Sequence, residues 1–342
     1  MSYRTMKWAT RLLICGASVW SAGIVKGVDI YVRAEKTSLT LPDGTPGGKT
    51  VQMWGLIQDT DNNFATLETT AGYGFRGSSI SLPTGNGGNT LILHLFNRLD
   101  VPTSAVIPGQ NGYVMDAPHA TFVDGDGLTR ARSFVKEIAP GAVGLYRWNN
   151  TSRGTFLVHS GSHPAVQLQM GLYMPLIRNV SGNVPYPGYT IQSPRQVTLL
   201  LSEIDPAVHD AVQNGDYGTT MTSTIHSRPQ YYLINGRAYS QAAPPPPINV
   251  TGNANNPVLL RLLNAGIDYH VPTLNGLHVK VIAEDGRMYP YAKEECAVAL
   301  PALKTMDAVV TPPPGVMPLY DRRLGLANGA QSPGGMLVYL DN

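Results

Sequence analysis

The sequence predicts an all-β protein. Charged residues make up only 14% of the chain, well below the roughly 25% of an average soluble domain. Glycine and proline are abundant, at 36 and 27 residues. Apolar residues come in short runs broken by these turn formers, not in long stripes of helical period. With 342 residues and 43% hydrophobic content, the chain can bury two ordinary cores. The formal net charge of +2 and the lack of any Lys/Arg cluster speak against a nucleic-acid surface.

The first segment has a basic start (Arg4, Lys7, Arg11), an apolar run from Leu12 to Val25 and small residues Ser21, Ala22 and Gly23 near its end. This is the outline of a secretory signal peptide over residues 1–25, which places the protein in the periplasm, at the cell surface or outside the cell. A membrane partner is expected only if the segment stays uncleaved. Cys15 lies inside it, so the exported chain keeps Cys296 alone and has no internal disulfide.

Strands follow in order. Val28–Ala34 alternates, and Thr50–Gly55 and Asn89–Leu99 are apolar runs of strand length. Arg130–Val135, Ala142–Trp148, Gly154–Val158 and Gln167–Tyr173 continue the series, and Val197–Leu201 closes a first domain spanning 28–205. Asp205-Pro206 then starts a helix, with Asp as cap, Pro at the first helical position and Val208, Ala211 and Val212 on one face. The helix ends near Asn214-Gly215, and with the polar stretch Thr219–Gln230 it forms a linker over 206–230. Tyr231–Gly236 opens a second domain over 231–342, in which Pro244–Pro247 is a stiff loop. The run Leu-Ile-Leu-His-Leu-Phe-Asn ending at Asn97 matches Val-Leu-Leu-Arg-Leu-Leu-Asn ending at Asn264. The two lie about one domain length apart, as two tandem copies of one β-sandwich require.

Among the 8 histidines, His159 and His163 stand out. They flank Ser160-Gly161-Ser162, between the Gly154–Val158 strand and the Gln167–Tyr173 strand. A turn with Gly161 at positive φ aims both imidazoles at one point, and imidazole is the commonest protein metal ligand. His94 reads as structural, His209 and His226 as surface residues, and Cys296 as a half-buried strand cysteine.

The run Gly-Thr-Phe-Leu-Val-His159-Ser, followed by Gly171-Leu-Tyr173, resembles the segment of multicopper oxidases that supplies a His-X-His pair to the trinuclear copper cluster. Gly161 stands where that pattern has its second histidine. Val51-Gln-Met-Trp54-Gly55 resembles the opening strand of bacterial members. Val258–Tyr291 and Leu303–Val310 resemble their second domain. The resemblance implies two tandem cupredoxin-like Greek-key sandwiches from Val28 to Asn342 and makes copper the expected cofactor. It also sets the first His-X-His-Gly motif on Ala105-Val106-Ile107-Pro108-Gly109, where Val106 and Pro108 replace the two histidines. The motifs carried by a third domain, with their cysteine, have no counterpart.

Three functions follow from that resemblance. The chain is a structural or interaction module, or one part of an oxidase assembly. Alternatively it is an oxidase whose copper cluster, begun by His159 and His163, is completed by a second copy or by a separate cupredoxin or oxidase chain. Or it is a copper-binding or delivery protein using the histidine pair with Met170 and Met174.

Overall fold

A computed structural model of the chain describes residues 27–114, 121–131, 135–219, 221 and 223–342. The signal-peptide segment 1–25, with Cys15, and His119 lie outside the described residues.

The first sandwich is built from strands β1 (Val28–Leu41), β2 (Lys49–Asp59), β3 (Thr90–Asn97) and β4 (Val143–Asn149). They lie in the order β2-β1-β3-β4, with the short strand Tyr113–Val114 at the edge. After β2 the chain leaves this sheet and touches the opposite one at Ile80–Ser81. It then returns as β3 parallel to β1. The opposite sheet is completed by β5 (Gly154–His159) and β6 (Tyr173–Arg178), which pair antiparallel. β4 shows why its sequence is a strand. Gly144, Tyr146 and Trp148 point inward while Val143, Leu145, Arg147 and Asn149 point out. The core between the sheets holds Leu91, Leu93, Leu95, Tyr146 and Trp148 from one side and Phe156, Val158, Met174 and Leu176 from the other.

The second sandwich repeats this plan. Its large sheet contains β7 (Gln196–Ile204), β8 (Tyr231–Ile234), β9 (Val258–Asn264), β10 (Val279–Glu284), β11 (Arg287–Glu295) and β12 (Thr305–Val310). The order is β8-β7-β9-β12-β10-β11. A four-stranded sheet formed by Ile248–Asn249, Leu337–Asp341, Val316–Asp321 and Pro272–Leu274 faces it across a second core. The repeat predicted from sequence is present at atomic detail. β1 runs parallel to β3 with Ala34 beside Asn97, and β7 runs parallel to β9 with Leu201 beside Asn264. Both asparagines are buried. Asn97 donates to the carbonyls of Val101 and Ile138 and accepts from the Leu99 amide. Asn264 donates to the carbonyls of Asp268 and Leu300 and accepts from the Gly266 amide.

This equivalence corrects the domain organisation expected from sequence. β7 does not close the first domain; it is the first strand of the second sheet and the counterpart of β1. Segment 206–230 is then no linker. β7 and β8 pair antiparallel, Ile204 beside Tyr231, and the residues between them form an excursion from the second sheet. The helix in that excursion spans Pro206–Asn214, as its caps require. Asp205 accepts from the Ala207 amide at 2.9 Å, and Gly215 ends the helix in the left-handed region. The helix lies against β2 of the first sandwich, where His209 bonds the Gln52 carbonyl at 2.6 Å. His209, expected at the surface, is therefore fully buried. A third apolar cluster joins the sandwiches, with Leu41, Met53, Ile57, Phe75 and Leu157 from the first and Leu200, Tyr231, Leu233 and Leu263 from the second.

The strand expected over Gln167–Tyr173 is also corrected. Pro164–Gln167 is one helical turn, labelled α1, followed by further turns up to Gly171, and the strand begins at Tyr173.

Candidate functional site

β5 ends at His159, which pairs with Tyr173 on one side and bridges Val106 on the other. The Val106 amide donates to the His159 carbonyl at 2.8 Å and the His159 amide to the Val106 carbonyl at 3.0 Å. The fold thus brings together the two short segments that the sequence singles out, 103–109 and 159–163. Between them lies a buried polar network. Gln167 Oε1 accepts from Thr103 Oγ1 at 2.8 Å and from Ser160 Oγ at 2.5 Å, while its amide donates to the Pro102 carbonyl at 2.8 Å. Ser104 Oγ accepts from the Gly161 amide at 3.1 Å and lies 3.0 Å from Ser162 Oγ. These hydroxyls and the Gln167 amide satisfy one another, which is what a sealed polar cluster needs to be stable.

Gly161 sits where side chains have closed in. A Cβ placed on it would lie 2.8 Å from Val106 Cγ1, 2.9 Å from Val135 Cγ2 and 3.3 Å from Ser104 Oγ. Any side chain there would displace both valines. The residue in the left-handed region is not Gly161, as expected from the turn, but His163, at φ 45°. His163 caps α1.

The two histidines meet different surroundings. His159 is 5% exposed. Its Nδ1 bonds the Ser160 carbonyl at 2.8 Å, so Nδ1 carries the proton and Nε2 holds a lone pair. Nε2 is buried and has no hydrogen-bond partner among the described residues. Burial pulls the imidazole below its ordinary range, and the Ser160 bond opposes that only in part. His163 is exposed, and its ring meets Tyr217 edge-on at 5.4 Å. It lines a cavity of about 500 Å³ with Trp54, Val101, Val166, Val212 and Tyr217, and His159 is not part of that lining. Sequence reasoning missed this cavity because Val212 and Tyr217 reach it from the excursion after β7.

The other histidines, Cys296 and the two methionines do not join this site. His94 stacks on Tyr31 at 4.6 Å and bonds Asp29 at 2.8 Å. His270 is fully buried, with Nδ1 2.9 Å from Asp321 and Nε2 2.9 Å from Glu203. His226 and His278 are exposed. Cys296 is an exposed thiol at the bend after β11, with Arg322 Nη1 3.8 Å from its sulfur, and not a half-buried strand residue. Met170 and Met174 are both fully buried in the first core. Among the described residues no group of three or more His, Cys, Asp or Glu side chains is placed to hold a metal ion.

Solved structures share this architecture. The fold is that of the multicopper oxidases. A blue copper oxidase from Nitrosomonas europaea superposes with a TM-score of 0.66 at 17% identity, covering 92% of this chain and 86% of that one. A multicopper oxidase from Pseudomonas thermotolerans gives 0.60 at 18% identity over 93% of this chain and 64% of that one. A copper nitrite reductase from Nitrosomonas europaea gives 0.59 at 16% identity over 92% and 94%. No family model and no curated protein matches the sequence.

With this fold, copper is the group to test against the side chains present. The His159 Nε2 lone pair has the right chemistry for it. Its neighbours do not. Val106 and Pro108 carry no donor atoms, Gly161 is closed by valine methyl groups, and His163 turns to Tyr217. The residues at the two motif positions do not fit a copper cluster.

Proposed function

We propose that this chain is an exported interaction module with the multicopper-oxidase fold, one that contributes a two-sandwich scaffold to an assembly and does not itself reduce oxygen. The observation that carries this reading is the closure of Gly161 by Val106 and Val135 beside His159. At the point where two histidine pairs would have to converge, the chain packs methyl groups and a self-satisfied hydroxyl network instead. Export rests on the composition of segment 1–25.

Copper loading of the purified chain, followed by metal analysis, absorption spectroscopy and oxygen-uptake measurements, tests the proposal. The expected result is no blue thiolate–copper band and no steady oxygen uptake with phenolic or metal-ion substrates. A blue band together with sustained oxygen consumption by the isolated chain would overturn it.

A second reading has one observation in its favour, the unpartnered Nε2 of His159. In that reading a second copy or a separate cupredoxin chain supplies the donors that His159 and His163 lack. Stoichiometric copper uptake that appears only in a complex, and is lost in His159→Ala, separates the second reading from the first. Delivery of copper through Met170 and Met174 has no support, since both thioethers are packed in the core.

A further inference from the structure

A cleft of about 980 Å³ opens where the two sandwiches meet. Its floor is a contact between tight turns. A Cβ on Gly154 would lie 2.5 Å from Gly286 Cα, and one on Gly109 would lie 2.7 Å from the Asp285 carbonyl oxygen. The first sandwich lines the cleft with Arg153 and Arg178, and the second with Arg287 and Lys304. Two carboxylates, Glu284 and Asp285, also face it. Lys304 engages both of them, Asp285 at 2.6 Å, and Tyr289 donates to Glu284 at 2.6 Å.

That leaves three guanidinium groups without an acidic partner among the described residues. Arg178 is 2% exposed. Its terminal nitrogens donate to the Thr151 carbonyl and hydroxyl, to the Gly85 carbonyl at 2.6 Å and to Asn89 Oδ1 at 2.8 Å, all of them neutral. Its Nε is buried without a partner among the described residues. Burial first, and then the nearby Arg153 charge, hold this guanidinium below its ordinary range. Arg153 and Arg287 are exposed, and neither side chain has a hydrogen bond or ion pair among the described residues. A buried cation without a counterion is costly, and a second cation beside it adds to the cost. An anion in the cleft removes both penalties. Planar guanidinium forks are also the side chains best matched to carboxylate and phosphate oxygens.

We propose that this interdomain cleft binds a doubly charged oxyanion, a phosphate or a dicarboxylate, held between Arg153 of the first sandwich and Arg287 of the second. The charge count sets the valence: four cations less two carboxylates leaves two positive charges among the lining side chains. The amides of Asn111 and Asn150 in the same lining supply neutral donors. Because the ligand touches both sandwiches, binding stabilises their junction as well as the cleft.

Isothermal titration of the full chain with inorganic phosphate, and separately with malonate, at ionic strength held constant by sodium chloride, tests this. One saturable equivalent of at least one anion is expected, with a rise in Tm. The anion bound more tightly identifies the head group. Arg153→Gln and Arg287→Gln, both at exposed positions that leave the fold intact, should each weaken binding about tenfold, the loss of one charge-assisted contact. Arg322→Gln, an exposed arginine away from the cleft, should leave it unchanged. No saturable binding of either anion, or binding equally strong in both cleft variants, would overturn the proposal.

Discussion

His270 is the residue on which the pH response of the second sandwich turns. Burial alone would lower its pKa, but the hydrogen bonds it donates to Asp321 and Glu203 outweigh that and push it up to about 9. At neutral pH the ring is a cation between two carboxylates, and the pair is tied further by backbone amides, with Ile267 and Asp268 donating to Glu203 and Val271 to Asp321. A folded value above the ordinary 6.5 means a contribution that is complete below about pH 6.5 and is lost as the pH rises through about 9. The separation of those two values corresponds to roughly 3 kcal/mol. His159 and His209 act in the opposite sense. Burial lowers both, so their contribution is complete above the ordinary value of 6.5 and is lost as the pH falls below it. Urea unfolding as a function of pH should therefore show wild-type stability falling on both sides of neutrality. His270→Gln should be less stable by about 3 kcal/mol near pH 6, with the gap narrowing through pH 9. Wild-type and variant curves that stay parallel from pH 6 to 10 would show that the ring is not charged in the folded chain.

At the scale of elements, the two asparagines that end β3 and β9 close equivalent corners. Each side chain makes three hydrogen bonds to backbone groups that are otherwise buried, and the spacing along the chain is nearly the same in both copies. Replacing either by alanine strips the partner from one carbonyl and one amide, while the second carbonyl, of Ile138 or Leu300, keeps its bond from the Thr103 or His270 amide, at a cost of about 2–4 kcal/mol. Asn97→Ala and Asn264→Ala should lose similar amounts in urea unfolding, and the double variant should be close to additive, since the corners share no partner. A large loss for one and almost none for the other would show that the corners are not energetic equivalents. These corners were legible in the sequence because a strand-length apolar run ended in the same residue twice. The helix after Asp205 was legible for a similar reason, its cap, its Pro and its terminal Gly being local signals. What was not legible is which sheet a strand joins. β7 is a short apolar run like any buried strand, and its partner β9 lies far along the chain. Gln167–Tyr173 misled because its alternating Gln and Leu satisfy a period of two, while Pro164 and the i, i+4 pair Val166 and Met170 satisfy a helical turn equally well. The buried positions of Gln167 and Gln169 broke the usual link between polarity and exposure. At the site, the two degraded motifs were legible singly, but their contact through Val106 and His159, and the methyl groups that close Gly161, depend on pairing that no local pattern reveals.

At the scale of the whole molecule, the question is what makes two sandwiches behave as one body. The shared apolar cluster supplies adhesion, and a buried polar junction supplies register. Arg261 on β9 and Asp307 on β12, each 1% exposed, lie 3.7 Å apart. Thr155 on β5 of the first sandwich enters between them, donating to Asp307 at 2.7 Å and accepting from Arg261 at 2.6 Å. Tyr186, from the connection that leaves the first sandwich, donates to the other Asp307 oxygen. Asp307 thus accepts from one residue of each kind that holds the junction, and Arg261 is further bonded to Asn179 and Gln196. Removing the carboxylate leaves the Arg261 charge buried with neutral partners only, which costs about 3–5 kcal/mol. Because three of the affected side chains, Thr155, Tyr186 and Asn179, precede β7, the loss falls on the junction and not on either core. Calorimetry should show one unfolding transition for the wild type and, for Asp307→Ala, a transition that broadens or divides into two, with near-native secondary structure below the first. The double variant Arg261→Met with Asp307→Leu, which removes the stranded charge and refills the volume, should regain much of the lost cooperativity. An Asp307→Ala protein that melts in one transition at the wild-type Tm would show that the apolar cluster alone couples the sandwiches.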